Sequence, residues 1–415
     1  MMIDKMYNLN RNLIVDGKLS AGKTTNVMFP LVEEMINNSE SLFILDSKEE
    51  YLNKYYNTLK ANGYNVVIIN LRDMDKSEGW NPLEYPYQLY KAGDKDGAID
   101  HIERLAKTIY YNSFNEDPFW SMTAGDLFKG LVLSLFEDGK ENEINLSSIN
   151  SMLEKGMNKF GAKDYLTEYF NDKNPDSKAY TFASTTVLAP NDTKGGILSV
   201  AKQRLRLFIG REKLNMLTNK TTFDFNNVLT EKTAIFFIVK DEETSLSRYA
   251  TMFIEQLYTI LVSKKLTNKF NFILDNFDLI RSYDNLIDML SSCISRKMKV
   301  CICTRDLEYL LEKNDKYLLK LSDVIKVDAS GVKLLCDDGY ETIKDSIDEV
   351  EVPTYFSEYP KLEESKVKIF DLQRFVINNN IKKFDLDLDM NDFISTEDLI
   401  KSIDKKIAEL DSENK

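Results

Sequence analysis

The stretch "NLIVDGKLSAGKTTNVMFPLVEEM", residues 12–35, decides how the rest of the chain is read. An apolar run, Leu13-Ile14-Val15, meets Gly17, and Gly22-Lys23-Thr24 follows five residues later. Gly17-Lys18-Leu19-Ser20-Ala21-Gly22-Lys23-Thr24 satisfies G-x-x-x-x-G-K-[ST] at every fixed position. That spacing suits phosphate chemistry. The glycines let the backbone wrap until several N–H groups converge on an anion, and the following helix adds the positive end of its dipole. On this reading Gly17, Ser20, Ala21, Gly22, Lys23, Thr24 and Thr25 form a nucleotide cradle. Lys23 neutralises phosphate oxygens, and Thr24 offers its hydroxyl to Mg²⁺. "TTNVMFPLVEEMI" continues as a helix that Pro30 must kink or shorten.

The remainder bounds the fold class. Short apolar runs recur as "SLFILD", "YNVVIINL", "TAIFFIVK", "FNFILD" and "MKVCICT", with helical periods between most of them. This alternation predicts a mostly parallel α/β sheet. It lapses from about 84 to 190, where the periodicity is helical throughout, and an all-helical insertion is expected there. The expected organisation is 1–83 as the first part of a nucleotide-binding domain, 84–190 as the inserted all-α domain, 191–345 as the second part, and 346–415 as an acidic C-terminal extension. A Mg²⁺-holding acid is expected at the end of a second buried strand. Asp275 in "FNFILDNFD" and Asp46 in "SLFILDSKEE" both qualify, and Asp275 is preferred because its run lies far along the chain.

Composition excludes other chemistries. The net charge of −13 argues against a generic polyanion binder, so any nucleic-acid contact must be local. The basic stretch "AKQRLRLFIGREK", 201–213, is one candidate, and a solvated helix face is the other reading of it. A single histidine, His101, argues against a His-based metal site and is expected to be a partly exposed helix residue. Cys293, Cys301, Cys303 and Cys336 lack paired metal spacing and read as free thiols in a reducing compartment. The polar start "MMIDKMYNLNRN" and the lack of an 18-residue apolar run lead to the expectation of a cytoplasmic protein.

Several collinear segments resemble the type IV coupling proteins, the TraG/TraD-like ATPases of conjugation and type IV secretion. "LDSKEEYLNKYYNTLKANGYNVVIINLRDMDKSEGWNPLEY" resembles the family's D-P-K-G-E segment and its later Ser-x-x-Trp-Asn-Pro-Leu stretch. "DPFWSMTAGDLFKGLVLSL" resembles a helix of the all-α domain. "EKTAIFFIVKDEETSLSRYATMFIEQLYTIL" resembles the strand and long helix before the second acidic motif. "FILDNFDLI" and "SRKMKVCICTRDLEYL" stand where the family has D-E-F, an arginine and a strand ending in glutamine. The resemblance implies an α/β, RecA-like P-loop domain with an inserted all-α domain, using ATP and Mg²⁺. It also implies a homo-hexameric ring that delivers DNA with its relaxase, or a secreted protein cargo, to a type IV secretion channel.

By position the resemblance gives the metal to Thr24 and Asp275. It puts Arg296 where an arginine reaches a neighbour's site. Two catalytic positions depart from the pattern. Asn276 replaces the glutamate that would activate water, and Arg305 replaces the glutamine that senses the γ-phosphate. An amide cannot accept a proton at neutral pH. Asp278 and Glu49 are candidate substitutes for the base. Family members carry transmembrane helices before the P-loop, whereas 16 residues precede Gly17 here. The expectation is a truncated reading frame, or a soluble relative that reaches the inner face of the plasma membrane through partners. Three functions compete: a motor, a nucleotide-binding scaffold or substrate receptor with weak turnover, and an unrelated P-loop enzyme such as a kinase.

Overall fold

The computed structural model describes residues 2–9, 11–111, 117–280, 285–336, 339–348, 356–362, 366–383 and 395–413. Its strands are β1 (Asn12–Asp16), β2 (Ser41–Asp46), β3 (Asn65–Asn70), β4 (Lys159–Phe160), β5 (Lys163–Asp164), β6 (Thr233–Ile238), β7 (Phe270–Leu274), β8 (Met298–Thr304), β9 (Ser322–Asp328), β10 (Gly331–Cys336) and β11 (Gly339–Lys344). Nine of them form one sheet in the order β11-β10-β9-β1-β8-β7-β2-β6-β3. From β9 to β3 every neighbouring pair is parallel, and β10 and β11 close one side as an antiparallel hairpin.

The six apolar runs named from the sequence are β1, β2, β3, β6, β7 and β8. Their residues are almost all buried, as expected of parallel strands covered on both faces. Phe43 on β2 shows the packing. Its ring lies 5.8 Å from those of Phe253 and Phe272 and 6.2 Å from that of Phe237. The strands β9, β10 and β11 were not anticipated. β9 carries Asp323, Lys326 and Asp328, and β11 is exposed or half-buried along its whole length, so neither has the continuous apolar signal of a central strand.

The chain divides into two compact units, Met1–Pro82 with Met216–Ser365 and Leu83–Asn215 with Lys366–Lys415. The first holds the nine-stranded sheet. Among its described residues the second is helical apart from the two-residue strands β4 and β5, a small departure from an all-α insertion. Its limits differ from the expected 84–190. The helix Asn191–Ile209 packs on the helices Pro118–Asp138 and Leu146–Lys155 through a buried face that includes Ile197, Leu198, Leu205 and Phe208. The presumed acidic extension from 346 also contributes here. Its helix Leu372–Lys383 buries Leu372, Val376 and Ile377, and Phe375 meets the Tyr169 ring at 5.6 Å. The helix Thr396–Glu413 agrees with the expected terminal helix. The acidic run "FDLDLDMNDF", 384–393, lies outside the described residues.

His101 is a second correction. It is buried in the helix Lys95–Tyr110, with its ring edge-on to Tyr85 at 5.0 Å. The helix turns that face inward, so the residue is packed rather than partly exposed. Burial pushes its pKa down from the ordinary 6.5 to about 4. The unfolded chain therefore takes up a proton near pH 6.5 and the folded chain only near 4. Stability from this group is complete above 6.5 and is lost as pH falls toward 4, by at most about 3 kcal/mol. The drop in urea midpoint between pH 7 and pH 4.5 is expected to be smaller in His101→Leu than in the wild type. Equal drops would contradict a buried neutral imidazole.

Candidate nucleotide site

The residues 17–25 leave the C-terminal end of β1, between β8 and β9. Two glycines are required by geometry. A Cβ on Gly17 would lie 2.5 Å from the Val327 carbonyl oxygen of β9, and Gly22 sits at φ +84° with Ile347 and Asn26 against it. Ser20 also takes a left-handed conformation, at φ 60°. Lys23 is buried, and its Nζ donates to the carbonyls of Gly17 (2.5 Å) and Lys18 (2.9 Å). The ammonium is thus held inside the loop that it would share with phosphate oxygens.

The helix after the loop starts irregularly, as Pro30 requires. Residues Thr24–Met28 form a π turn, with the Phe29 amide bonded to the Thr24 carbonyl, before the regular helix Phe29–Asn37. Proline has no N–H and its ring clashes with the carbonyl four residues back, and a widened turn relieves both. The π turn leaves Thr24 directed at β7. Its Oγ1 donates to Asp275 Oδ2 at 2.8 Å. β8 lies between β1 and β7, so this bond spans two strand intervals.

Asp275 lies in a saturated environment. Its Oδ2 also accepts from the Tyr51 hydroxyl at 2.9 Å, and its Oδ1 accepts from the Asn276 amide at 2.8 Å. Asp46, the competing acid, is occupied differently. Its two oxygens accept backbone N–H groups of Lys48, Glu50, Tyr51 and Leu52, so it caps the helix Glu50–Ala61. Burial raises its pKa to about 7, against the lowering effect of those amides. Among the described residues no three carboxylate, histidine or cysteine side chains gather into a metal cluster. Mg²⁺ fits the residues present nonetheless. It takes one or two protein oxygens and completes its shell with phosphate and water, and Thr24 with Asp275 supply that kind of donor set.

The positions that depart from the family pattern are tied to one another. Asn276 is left-handed at φ 53°, and its Nδ2 donates to Ser47 Oγ at 2.8 Å. Ser47 stands at the proline of D-P-K-G-E, so two departures form one hydrogen bond. Glu49 stands at the glycine of that pattern and keeps the glycine's left-handed backbone, φ 61°. Its carboxylate is held by Asn70 Nδ2 (3.2 Å) and the Tyr359 hydroxyl (2.8 Å). Asp278 accepts from Thr304 Oγ1 at 2.7 Å and from the Arg305 amide at 2.8 Å. Neither Glu49 nor Asp278 is thus a free carboxylate. Arg305 follows the end of β8 at the site edge with an exposed side chain. Arg296 precedes β8, at the opposite edge of the sheet, where its Nη1 donates to the Ser292 carbonyl. It is outside the site of its own chain.

Sequence reasoning missed Tyr51, Ser47 and Asn26. Asn26 fastens the loop to the segment after β11: its Nδ2 donates to the Asp348 carbonyl at 3.1 Å, and its Oδ1 accepts from the Asp348 amide at 2.8 Å. Separations of some 200 to 300 residues leave no local signal for such pairs.

With this geometry in hand, the chain matches the family described as "Type IV secretory system Conjugative DNA transfer" over residues 10–320. It belongs to this family. No curated protein matches its sequence. Among solved structures it is similar to the bacterial conjugative coupling protein TrwBdeltaN70 in its unbound monoclinic form. The TM-score is 0.56 at 13% identity, covering 76% of this chain and 68% of that one. It is also similar to the plasmid coupling protein TrwB in complex with the non-hydrolysable ATP analogue ADPNP, with TM-score 0.55, 12% identity, and 87% and 88% covered. TrwB in complex with ADP and Mg²⁺ gives TM-score 0.55 at 13% identity, with 85% and 87% covered. At these identities the likeness establishes the fold of this family member: a RecA-like P-loop sheet with an associated helical domain. Among the described residues no helix is long and apolar enough to cross a membrane.

Proposed function

We propose that this family member is a Mg²⁺-dependent ATPase of the coupling-protein type, which turns ATP hydrolysis into delivery of DNA or protein cargo to a type IV secretion channel. The observation that carries the reading is the Thr24–Asp275 hydrogen bond, which joins the phosphate loop to the acid-bearing strand across β8. Support comes from the ADPNP and ADP–Mg²⁺ complexes of TrwB. In this arrangement the 17–24 amides and Lys23 hold the phosphates, Thr24 ligates Mg²⁺ and Asp275 holds its water shell. Mg²⁺, when bound, supplies neutralisation of charge on the departing phosphate. The basic residues at 202–213 are a candidate DNA contact, although Arg206 already pairs with Glu154 at 3.6 Å.

The charge layout of the sheet supports action by more than one copy. Lys264, Lys265, Lys269, Arg296, Lys297 and Lys320 are exposed in the segments that lead into β7, β8 and β9. The opposite edge, which bears the site, carries Asp73, Asp75, Asp241, Glu242 and Asp306, of which Asp241 and Glu242 pair with Arg72 and Asp73 with Lys76. One copy's basic edge complements another's acidic edge, and such a head-to-tail contact brings Arg296 to a neighbour's nucleotide. A homo-hexamer is the closed form of that contact proposed here.

A steady-state ATPase assay with and without single-stranded DNA tests the reading. Turnover is expected to be slow, to increase several-fold with DNA, and to rise more steeply than linearly with protein concentration. A strictly linear dependence would remove the in-trans role of Arg296. The second reading, a nucleotide-binding scaffold or receptor, is favoured by Asn276 and Arg305. Tight Mg-ATP binding without turnover under any of these conditions would establish it instead.

A further inference from the structure

The site has lost a glutamate at 276, and three carboxylates on the segments around it are engaged. Asp278 is bound by Thr304 and Arg305, Glu49 by Asn70 and Tyr359, and Asp46 by four backbone amides. Glu50 differs from all three. It opens the helix Glu50–Ala61, and its own N–H is fixed to Asp46 Oδ1 at 3.1 Å. The next residue, Tyr51, places its hydroxyl on Asp275 Oδ2, so this helix turn is pinned beside the metal-holding acid. Glu50 is half-buried, and among the described residues its carboxylate has no hydrogen-bond or ion-pair partner. A partly desolvated carboxylate without a partner, set beside a strand-end acid, is a candidate functional group.

We propose that Glu50 orients the attacking water and takes its proton, the task that Asn276 cannot perform. This rests on the hydrolytic reading above. In the step, a Glu50 carboxylate oxygen accepts one proton of the water. The water oxygen bonds to the γ-phosphorus, the bond from the γ-phosphorus to the β–γ bridging oxygen breaks, and its electron pair stays on the ADP oxygen. The protonated Glu50 returns its proton to solvent or to the released phosphate. Burial raises the Glu50 carboxyl above its ordinary range, Lys48 opposes this, and the charges of Asp275 and Asp241 add to it. A more basic carboxylate is the better proton acceptor at neutral pH.

The test compares wild type with Glu50→Gln in the full chain, with two readouts. One is Mg-ATP affinity from a fluorescent analogue. The other is the ATP-to-ADP ratio of nucleotide retained after incubation with ATP and rapid filtration, alongside turnover. Glutamine keeps the shape and accepts a hydrogen bond but no proton. The expected result is turnover lower by about 10²–10⁴-fold, affinity within threefold, and retained nucleotide shifting from ADP to ATP. Glu50→Asp, with a shorter carboxylate, is expected to recover part of the turnover. Wild-type turnover with Glu50→Gln within threefold of it overturns the assignment and leaves the motor reading intact. Wild-type binding without any turnover overturns both.

Discussion

Lys23→Ala is expected to abolish binding of a fluorescent ATP analogue, raising its Kd by at least about 100-fold while the fold persists. Lys23 is buried in the loop, and its ammonium bonds the carbonyls of Gly17 and Lys18. Alanine removes the one cation at the centre of the cradle. A hydrogen bond to a charged group contributes about 1.5–3 kcal/mol, and on the proposed reading more than one phosphate oxygen would bond this ammonium. The surrounding edge is acidic, with Asp46, Glu50 and Asp275 in mutual electrostatic contact, so an uncompensated triphosphate would meet net repulsion. Circular dichroism and the melting temperature check that the chain still folds. Binding within threefold of wild type would mean that residues 17–24 are not the phosphate cradle.

The second large effect is a gain. In the Glu50→Gln background, where the proposed base is gone, Asn276→Glu is expected to raise turnover by about tenfold or more, since a positioned general base contributes about 10²–10⁴-fold and the change recovers part of that. The Asn276 backbone is left-handed and its side chain is tied to Ser47 Oγ. A glutamate there can accept a hydrogen bond from the Ser47 hydroxyl and still present its second oxygen to water. Arg305, exposed at the end of the neighbouring strand, is the competing influence, because an ion pair with the new carboxylate would cancel the gain. Asn276→Glu combined with Arg305→Gln removes that competition and is expected to be the faster of the two. If neither variant exceeds the turnover of Glu50→Gln at saturating Mg-ATP while nucleotide still binds, the strand end does not face the γ-phosphate.

The sequence by itself determined the parts whose causes are local. The phosphate loop was legible because its glycines and Lys23-Thr24 lie within eight residues, and its backbone cannot form with other residues at Gly17 and Gly22. Six strands, β1, β2, β3, β6, β7 and β8, were legible because burial on both faces leaves an uninterrupted apolar run. Pro30 announced an irregular helix start, and the structure resolves it as the π turn Thr24–Met28. The strands β9, β10 and β11, on one side of the sheet, carried no such signal, because a strand partly open to solvent tolerates Asp, Lys and Glu. The helix Leu372–Lys383 was hidden for a related reason: its apolar face is short and is flanked by acidic sequence.

Only the tertiary structure decided between residues of the same chemistry. Asp46 and Asp275 both end buried strands, yet Asp46 is consumed by the amides of the helix that follows it while Asp275 meets Thr24 and Tyr51. Glu49 and Glu50 are adjacent in sequence, but one is bound on both oxygens and the other has no partner. His101 read as a partly exposed helix residue until its helix face was seen to turn inward. Local sequence gives the type of group, and the donors the fold brings to it, some a few residues away and others more than 200, set its state. That state is a property of packing, because a hydrogen-bonding group already satisfied inside the fold is not available for chemistry.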